Sequence, residues 1–476
     1  MSITTASATA RPTAAWTLGD VVQATGATVA QRGDAADFTR IATDTRTLLG
    51  GELFVALRGE HHDANRFAAE AAERGARGVL VASEPGTPLG DAVTVLEAPD
   101  GLRALQDLGA WHRRRHAPCV VGLTGSNGKT TTKEMLAAVL GASVGAAGVL
   151  KTQGNLNNLV GVPLTLLELC GHERYAVVEM GMNAPGEIWR LAEIADPDVG
   201  LITNVGPAHL EGLGSIEGVQ RAKGELFARM RRDATAVANA DDPLVAALAD
   251  GFPGPVVRFG AGTGITAERV RIDDIGVPCF ELRIRDTTAE VTLKIPGRHN
   301  VQNALAAAAV ADSLGIGIEV VAAGLAVAES VGDRMRIERL PNGAVVLNDS
   351  YNANPASMAV ALDSLARLPL GAAGRRIAVL GDMLELGSGS AEHHRALGRA
   401  AAAAGLTALF VYGDYASDSA AGATGGLPAS AIHAAKSHAE IAAALRQMAR
   451  AGDWILVKGS RGQRMEEVVR LLMEAV

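Results

Sequence analysis

The chain has 476 residues, 48% hydrophobic and 20% charged, which is enough for about three globular domains and excludes wholesale disorder or a fibrous repeat. Its formal net charge of −8 gives no general attraction for phosphate backbones or anionic lipid, so we expect no nucleic-acid partner. Three cysteines outside any CxxC spacing predict neither a disulfide framework nor a zinc site and favour a cytoplasmic protein. Because the N-terminus lacks signal-peptide features and the longest apolar uncharged run, 135–150, contains three glycines, we expect no secretion or membrane insertion.

The first two domains are predicted from a change in the pattern of strands and helices. Residues 1–99 mix strand-like runs at 53–57 and 78–81 with an Ala-rich helical stretch at 66–74, as in a small α/β recognition domain. From Cys119 onward, the β-rich runs CVVGL, YAVVE, VGLIT and ATAVAN alternate with helix-length amphipathic segments. This alternation predicts a parallel sheet with helical crossovers in a central domain, 100–330. A β-rich stretch at 251–296 and an Ala-rich helix at 303–314 complete that domain.

A second alternating block predicts a C-terminal domain, 331–476. Its buried strands are AVVLND, RRIAVLG, LTALFVYG and DWILVKG. Helices are predicted between and after them at 356–368, 391–404, 437–450 and 463–474. The pattern indicates a second doubly wound sheet, and the Gly-rich segment 419–427 is predicted to be a surface loop.

The sharpest local signal is GLTGSNGKTTT at 122–132, between the strand CVV and a predicted helix that begins near Lys129. A Gly-rich turn at a helix N-terminus directs backbone N–H groups and the positive end of the helix dipole at phosphate. Lys129 can then reach the terminal phosphates, and the Thr130 hydroxyl can hold Mg²⁺. Leu123 stands where the strict motif has Gly, so an ordinary strand-to-helix turn is the alternative. The strand-loop-helix context favours nucleotide binding.

Two more candidates stand at the same predicted edge of the central sheet. Glu179 ends the strand YAVVE, and His209 follows the strand VGLIT after a short loop. Ligands of open α/β sheets bind beyond the carboxyl ends of the strands, where Lys129 is also expected. A carboxylate and an imidazole near a polyphosphate suit Mg²⁺ ligands or their neighbours. Taken singly, a strand-end carboxylate is usually solvated and a lone histidine more often packs or caps, so the shared position carries the hypothesis.

Other polar residues have open roles at this stage. Lys223 lies on a predicted helix between charged neighbours and, by composition, is a solvated lysine. Asn155, Asn157 and Asn158 are either turn formers or ligand-reading amides. The polar clusters at 298–303, 348–355 and 458–464 are either ordinary caps and turns or parts of a ligand edge.

These motifs resemble the Mur ligase family, the ATP-dependent amide-forming enzymes of peptidoglycan assembly. TGSNGKTTTKEM is similar to the family's ATP motif, which has the shorter form GxxGK[ST], so Leu123 is no departure. Seven segments are similar to the member that adds D-Ala-D-Ala: KTQGNLNNLVGVPLTLL, VVEMGMNAPGEI, ITNVGPAHLEGLGSIEGVQRAKGELF, GRHNVQNALAA, LNDSYNANPASM, VLGDMLELG and LVKGSRGQRMEEV. The first domain is matched more thinly, through TDTR at 43–46 and GELFVALRG at 51–59.

The resemblance implies an α/β protein with a three-domain Mur ligase architecture. An N-terminal domain would hold the UDP-sugar peptide, a central P-loop ATPase domain with a parallel sheet would bind ATP, and a C-terminal Rossmann-like domain would close over the site. The implied reaction joins D-Ala-D-Ala to UDP-MurNAc-tripeptide through an acyl phosphate, giving UDP-MurNAc-pentapeptide. ATP and two Mg²⁺ ions are expected, and we expect the chain to act as a monomer.

The resemblance also implies roles for single residues. The catalytic set would be Lys129, Glu179, His209, Lys223 and Arg334, with Arg336 as an alternative alignment for Arg334. ATP would be bound by Gly125, Ser126, Asn127, Gly128, Lys129, Thr130, Thr131, Asn300, Asn303, Arg334 and Asp349. Substrates would contact Thr45, Arg46, Asn155, Asn157, Tyr351, Asn352 and Asn354. Metal ligands would be Thr130, Glu179, His209 and Lys223, the last as a carbamate, which converts a cation into an anionic oxygen ligand.

Three alternative functions are weighed against this one. Another ligase of the superfamily, adding a diamino acid or glutamate, is disfavoured by the GNLNN and SYNANP segments and, for the former, by the absence of Asp-Asn-Pro-Arg. A P-loop NTPase that moves a partner would form no amide product. A catalytically dead scaffold is disfavoured because the Lys, Thr, Glu and His set is intact. The third residue of the acceptor peptide stays open.

Overall fold

The computed structural model describes residues 15–59, 63–82, 89–370 and 374–474. Residues 1–14, on which the signal-peptide prediction rests, lie outside this part of the chain. In the described ranges, no helix combines the length and apolarity needed to cross a bilayer. Among the described residues, Cys119, Cys170 and Cys279 form no disulfide bond.

The N-terminal unit is a small α/β structure. Its strands are β1 (Trp16–Thr17), β2 (Thr28–Gln31), β3 (Asp37–Phe38), β4 (Ile41–Ala42), β5 (Leu53–Val55), β6 (Gly78–Val81) and β7 (Thr94–Glu97). The α-helices here are α1 (Leu18–Thr25), α2 (Ala68–Glu73) and α3 (Gly101–His116). β1 pairs with β3, and the main sheet has the order β2-β7-β6-β5-β4. Although α3 begins after residue 99, its Leu105 and Leu108 pack into this unit's core, so the boundary after residue 99 stays a prediction.

The central sheet is parallel, as predicted, with the order β13-β12-β11-β8-β10-β9. Successive residues of each strand face opposite sides of the sheet, and both sides are buried: Val121 and Leu123 lie in one core and Val120 in the other. Because both faces are buried, the strand sequences are continuously apolar. The strands are β8 (Cys119–Thr124), β9 (Val149–Lys151), β10 (Tyr175–Glu179), β11 (Val199–Ile202), β12 (Thr235–Asn239) and β13 (Val256–Phe259). The helices are α4 (Lys129–Val144), α5 (Gly161–Leu166), α6 (Glu187–Ala195), α7 (Leu210–Leu213), α8 (Ile216–Arg229) and α9 (Pro243–Asp250).

An antiparallel sheet and two helices follow the central sheet. The sheet has the order β14-β15-β16 and comprises β14 (Ile265–Ile272), β15 (Pro278–Ile284) and β16 (Thr287–Thr292). The helices are α10 (Asn300–Ser313) and α11 (Ile318–Val327). The alanines of α10 are buried in the same core as α4, which also contains residues of the central sheet. Their small side chains let α10 and α4 pack closely on one face of that sheet.

The C-terminal unit contains the second predicted sheet, with the order β17-β18-β22-β19-β20-β21. It is parallel except where β17 pairs with β18. Its strands are β17 (Arg336–Arg339), β18 (Val345–Asp349), β19 (Arg376–Gly381), β20 (Ala408–Tyr412), β21 (Ile432–Ala435) and β22 (Trp454–Lys458). The predicted helices are confirmed with small shifts at their ends, as α12 (Pro355–Arg367), α13 (Ser390–Ala403), α15 (His438–Met448) and α16 (Glu466–Met473).

The prediction of a surface loop at 419–427 is wrong for its first half. That half lies in α14 (Ala416–Ala423), and the chain then forms an isolated bridge between Thr424 and Leu427. A Cβ at Gly422 of α14 would lie 2.1 Å from the carbonyl oxygen of Arg395 on α13. The glycine therefore marks close packing of α13 and α14, a role that composition does not distinguish from a loop.

Candidate active site

The glycine-rich turn after β8 opens α4 in a conformation that requires glycine. Gly125 has φ +155°, and a Cβ there would lie 1.9 Å from the Thr203 hydroxyl oxygen. Gly128, at the N-cap of α4, has φ +78°, and its Cβ would lie 2.2 Å from Asn303 Oδ1. The turn therefore presents its backbone at the N-terminus of a 16-residue helix, which is a ready anion site.

The loop that follows β11 braces this turn. Asn204 Oδ1 accepts from the backbone N–H of Asn127 at 2.9 Å, and Asn204 Nδ2 donates to the carbonyl of Asn127 at 2.9 Å. Thr203 Oγ1 donates to the same carbonyl at 2.8 Å. Asn204 was not among the predicted site residues, although its position directly after the strand VGLIT was the same signal that identified His209.

Lys129 and Glu179 lie at neighbouring strand ends. Lys129 Nζ donates to the carbonyl of Gly125 at 2.7 Å, and burial lowers the pKa of Lys129 while the charge of Glu179 opposes that shift. Glu179 is 2% exposed, and its Oε1 accepts from Asn157 Nδ2 at 2.9 Å. Its Oε2 is buried without a hydrogen-bond partner among the described residues. Glu179 lines the cavity described below, where a bound ligand would supply the missing partner.

His209 and Lys223 come from the two helices after β11. His209, at the N-cap of α7, has φ +54°, and its Nδ1 lies 2.6 Å from Glu385 Oε2 of the C-terminal unit. Lys223, on α8, is 1% exposed, so the composition-based interpretation as a solvated lysine is wrong. Burial, together with repulsion by Lys129, lowers the pKa of Lys223 well below its ordinary value.

Asn300 and Asn303 connect the phosphate loop to α10 through buried amides. Asn303 Nδ2 donates to Asn300 Oδ1 at 2.8 Å, and Asn300 Nδ2 donates to the carbonyl of Pro296 at 2.7 Å. The Thr132 hydroxyl donates to Asn303 Oδ1 at 3.2 Å. Both asparagines line the cavity described below, and their adenine contact stays a prediction.

The C-terminal unit contributes an ion pair and a stacked arginine. Lys458 Nζ lies 2.5 Å from Asp349 Oδ2, and Asp349 Oδ1 accepts from the backbone N–H of Met335 at 3.1 Å. The Arg334 guanidinium lies 3.7 Å from the centroid of the Tyr351 ring. Arg336, the alternative in the sequence alignment, begins β17 with its side chain 60% exposed. Arg334 is therefore the arginine that faces the cavity.

A hydrogen bond also joins the phosphate loop directly to the C-terminal unit. Asn354 Nδ2 donates to Asn127 Oδ1 at 2.8 Å. The same side chain is the N-cap of α12, where its oxygen accepts from the backbone N–H of Ser357 at 2.9 Å. One asparagine thus starts a helix and contacts the neighbouring domain.

These residues surround a single cavity of about 810 Å³ between the carboxyl edges of the two sheets. Predicted residues that line it are Ser126, Asn127, Gly128, Lys129, Thr130, Thr131, Asn155, Asn157, Glu179, His209, Asn300, Asn303, Arg334, Asp349, Tyr351, Asn352 and Asn354. Asn204 and Asn239 line the cavity and were missed by the prediction, whereas the lining residues His299, Lys458 and Arg461 come from polar clusters whose role the sequence left open. Burial lowers the pKa of His299 to about 4, so its imidazole is neutral at pH 7.

Four predicted residues do not appear among the described residues that line the cavity. Gly125 packs against Thr203, and Lys223 is buried on α8, near enough to Lys129 for its charge to act on Lys223. Thr45 and Arg46 belong to the N-terminal unit, where Thr45 donates to Glu70 and Arg46 pairs with Asp44. The Arg46 side chain is 81% exposed, and the role of both residues in substrate binding stays a prediction.

The donors at the base of the cavity fit a hard divalent cation. Glu179 supplies an unpartnered buried oxygen, and Thr130 and His209 line the same cavity with a hydroxyl and an imidazole. Mg²⁺ prefers few protein oxygens and completes its octahedron with phosphate oxygens and water. The residues present therefore fit Mg²⁺ beside a nucleotide phosphate.

The fold and the cavity together define a class of protein. A phosphate loop at the carboxyl edge of one parallel sheet faces the carboxyl edge of a second α/β sheet, as in nucleotide-dependent enzymes that complete their site by domain closure. Residues 123–311 match the model of the Mur ligase middle domain, and residues 333–461 match that of the Mur ligase, glutamate ligase domain.

Comparison with individual proteins gives the family. The UDP-N-acetylmuramoyl-tripeptide--D-alanyl-D-alanine ligase of Escherichia coli (strain K12) is 40% identical over 448 residues, which cover 92% of this chain and 95% of that protein. The chain therefore belongs to the Mur ligase family, as the sequence motifs indicated.

Solved structures agree with this assignment. A crystal structure of MurF from Acinetobacter baumannii has a TM-score of 0.89 at 33% identity, covering 98% of this chain and 100% of that one. The MurF ligase from Thermotoga maritima in complex with ADP has a TM-score of 0.81 at 28% identity, covering 91% of this chain and 97% of that one. The predicted fold class, a three-domain Mur ligase architecture, is confirmed.

Proposed function

We propose that the chain is an ATP-dependent ligase that joins D-Ala-D-Ala to UDP-MurNAc-tripeptide, giving UDP-MurNAc-pentapeptide for peptidoglycan synthesis. The 40% identity with the Escherichia coli ligase of that name over nearly its whole length supports the assignment. The observation that carries it is the shared cavity, in which the phosphate loop and Glu179 face Arg334 and Tyr351 of the C-terminal unit. Such a cavity brings a nucleotide, a carboxylate and an amine together away from bulk water.

The reaction has two steps. In the first, a terminal carboxylate oxygen of the tripeptide attacks the γ-phosphorus of ATP, the bond to the β-phosphate oxygen breaks, and an acyl phosphate and ADP form. In the second, the amine nitrogen of D-Ala-D-Ala attacks the acyl carbon and loses a proton, and inorganic phosphate leaves. No side chain has to act as a nucleophile in either step, so the protein contributes positioning and charge neutralisation.

The chain's own groups meet those two needs. The backbone N–H groups of the phosphate loop and the ammonium of Lys129 bind the ATP phosphates at the start of α4. The guanidinium of Arg334 is held over Tyr351 and adds positive charge from the other side of the cavity. Closure of the C-terminal unit excludes water, which would otherwise hydrolyse the acyl phosphate.

Mg²⁺ would be held by Thr130, Glu179 and His209, and it would neutralise negative charge on the phosphate oxygens. The buried, unpartnered Oε2 of Glu179 supports this role, because a carboxylate oxygen without a donor is otherwise costly to bury. ADP in the related Thermotoga maritima structure supports use of ATP. A second ion is part of the proposal and depends on Lys223.

Lys223 is proposed to carry a carbamate. A neutral lysine amine adds to CO₂ by forming an N–C bond and releasing a proton, which leaves an anionic oxygen ligand. Burial and the charge of Lys129 lower the pKa of Lys223 and so favour the neutral amine. Lys133 is buried to the same extent, but its Nζ lies 3.0 Å from Glu134 Oε1 and donates to the carbonyl of Thr152 at 2.6 Å.

Carbamylation can be tested with ¹³C-labelled bicarbonate and carbon NMR at pH 8. We expect one carbamate signal in the wild-type protein, its loss in Lys223→Arg, and lower turnover in CO₂-free buffer that bicarbonate restores. Lys133 remains in place in both proteins, so a signal that persists in Lys223→Arg would contradict the proposal.

The ligase function is tested by phosphate release with mass detection of products. The reaction contains ATP, Mg²⁺ and UDP-MurNAc-tripeptide, with D-Ala-D-Ala or single amino acids as the amine. We expect UDP-MurNAc-pentapeptide only with the dipeptide, and little ATP turnover until both acceptor and amine are present. ATP turnover without this product would contradict the substrate assignment and favour a P-loop NTPase.

The remaining predictions are kept as parts of the proposal. Domains are proposed at 1–99, 100–330 and 331–476, with the first binding the UDP-sugar peptide through residues that include Thr45 and Arg46. Monomeric state and cytoplasmic location stay predictions. The diamino acid at the third position of the acceptor remains open.

A further inference from the structure

The contact between His209 and Glu385 joins two domains beside the cavity, where the His209 side chain is 24% exposed and that of Glu385 is 55% exposed. His209 Nδ1 lies 2.6 Å from Glu385 Oε2, across 176 positions of the sequence. His209 stands at the start of α7, and Glu385 lies in the loop that follows β19. Both residues have left-handed backbones, with φ of +54° and +62°. Residues other than Gly adopt this conformation at a cost, and the surrounding structure must hold it.

Backbone and apolar contacts fix the pair from both sides. The backbone N–H of Glu211 donates to the carbonyl of Glu385 at 3.2 Å, so the start of α7 docks on the loop itself. The backbone N–H of Leu384 donates to the Ser460 hydroxyl at 2.9 Å, which ties the loop to the end of β22. Leu210 packs against the cores of both units. The position of the Glu385 carboxylate is therefore set by domain contact.

The geometry has a direct chemical consequence for the imidazole. A carboxylate accepts a hydrogen bond, so Nδ1 carries a proton, and in the neutral imidazole the lone pair is then on Nε2. Histidines that bind metals usually donate their other ring N–H to a carboxylate or carbonyl in this way, which fixes the tautomer and the ring orientation. His209 and Glu179 both line the cavity.

We propose that Glu385 is a positioning residue: closure of the C-terminal domain places its carboxylate on His209 Nδ1 and thereby orients Nε2 toward the metal. This inference rests on the proposed function, in which His209 holds Mg²⁺. If Glu385 has this role, the metal site is complete only when the C-terminal domain is closed on the central domain. Metal affinity and domain closure are then linked through the hydrogen bond between His209 and Glu385.

The test measures metal binding directly, so it does not depend on turnover. Mn²⁺ binding is followed by electron paramagnetic resonance in the presence of a non-hydrolysable ATP analogue and UDP-MurNAc-tripeptide. We expect Glu385→Ala to weaken Mn²⁺ binding by about tenfold, the lower end of effects seen when such partners are removed. Glu385→Gln should retain most of the affinity, because its amide oxygen still accepts from Nδ1–H. Glu392→Ala, on an exposed pair of α13, is the matched control and should match the wild type.

A double-mutant cycle separates positioning from a simple interdomain latch. In a His209→Ala background, Glu385→Ala should have no further effect on Mn²⁺ affinity. If His209→Ala weakens Mn²⁺ binding and Glu385→Ala does not, Glu385 is not a positioning residue and the inference is wrong, while the proposed function stands. If His209→Ala leaves the affinity unchanged, the metal role of His209 fails and the inference fails with it. Small-angle scattering that shows an open Glu385→Ala protein with unchanged metal affinity would identify a latch and also overturn the inference.

Discussion

The side chains at the carboxyl edges of the two sheets that border the cavity differ in the domain of their hydrogen-bond partners. At the edge of the central sheet, Asn204 and Asn157 of the same domain hold the phosphate loop and Glu179. His209 is the member of this edge that contacts Glu385 of the C-terminal domain. At the edge of the C-terminal sheet, side chains also reach across the cavity, as when Asn354 contacts Asn127. The phosphate site is therefore built into the central domain, whereas the C-terminal domain completes it by contact.

This difference gives an ordered set of expectations. Substitutions at the carboxyl edge of the central sheet should lower turnover most. Changes in contacts across the cavity should lower activity only by the cost of a lost hydrogen bond. Changes at the opposite, amino edge of the C-terminal sheet should affect stability and leave the chemistry intact.

The largest effect is expected for Lys129→Ala. Its ammonium is the cation at the start of α4, and loss of one preorganised electrostatic group costs about 10³-fold in turnover. ADP release with both substrates present is the measurement, and the thermal midpoint should show that the fold is retained. Lys294→Ala, which removes an exposed ammonium paired with Glu329, is the matched control. Full activity of Lys129→Ala would contradict the proposed role of its ammonium in binding the ATP phosphates.

A smaller effect is expected at Asn354, and two variants divide its two roles. Asn354→Ser keeps an N-cap oxygen for α12 but is too short to reach Asn127, whereas Asn354→Ala loses both contacts. Both should lower kcat/KM by about tenfold or less, the equivalent of one hydrogen bond. Asn354→Ala should also lower the free energy of unfolding by about 1 kcal/mol.

Chemical denaturation and steady-state kinetics on the same preparations check this prediction. If Asn354→Ser retains full kcat/KM, the hydrogen bond across the cavity does not contribute to turnover.

The sequence predicted the central edge well because topology fixes it. Lys129, Glu179 and His209 follow three parallel strands, and parallel strands end at the same edge. The same rule, applied to every strand, would have identified Asn204 after β11 and Asn239 at the end of β12. These two amides were missed because asparagine after a strand is also an ordinary turn former.

Other features depend on distant packing and could not be predicted from local sequence. Lys223 has charged neighbours in the sequence, yet α8 turns its side chain into the interior. The Glu385 contact spans 176 positions and exists only because two domains dock. Arg334 and Arg336 are equivalent in an alignment. The structure distinguishes them, because β17 begins at Arg336 and leaves Arg334 in the preceding loop. In each case three-dimensional placement decides between residues of the same type.

The smallest effect on activity, with a clear effect on stability, is expected for Asp453→Asn. Asp453 lies just before β22 and Arg375 just before β19, so the pair sits at the amino ends of neighbouring strands, opposite the cavity. The fully buried carboxylate accepts from Arg375 Nη2 at 2.6 Å and from the backbone N–H of Arg450 at 3.0 Å. Removing its charge leaves Arg375 without its partner and should cost about 3 kcal/mol of unfolding free energy.

The pH dependence of this effect follows from the pKa of Asp453. Burial raises that pKa, but the hydrogen bonds from Arg375 and Arg450 outweigh burial and hold it below its ordinary value of about 4. A lowered folded-state pKa means that the stabilisation is present above about pH 4 and is lost as the pH falls through the folded value. Urea unfolding from pH 7 to pH 3 should therefore show the wild type losing its advantage over Asp453→Asn in acid.

Asp363→Asn, in an exposed pair with Arg367 on α12, is the matched control for this pH series and should change stability by less than about 1 kcal/mol. At a temperature where both proteins are folded, kcat of Asp453→Asn should equal that of the wild type. A large loss of kcat would mean that the amino edge of the C-terminal sheet influences the cavity. The division between a stabilising edge and a functional edge would then be wrong for this domain.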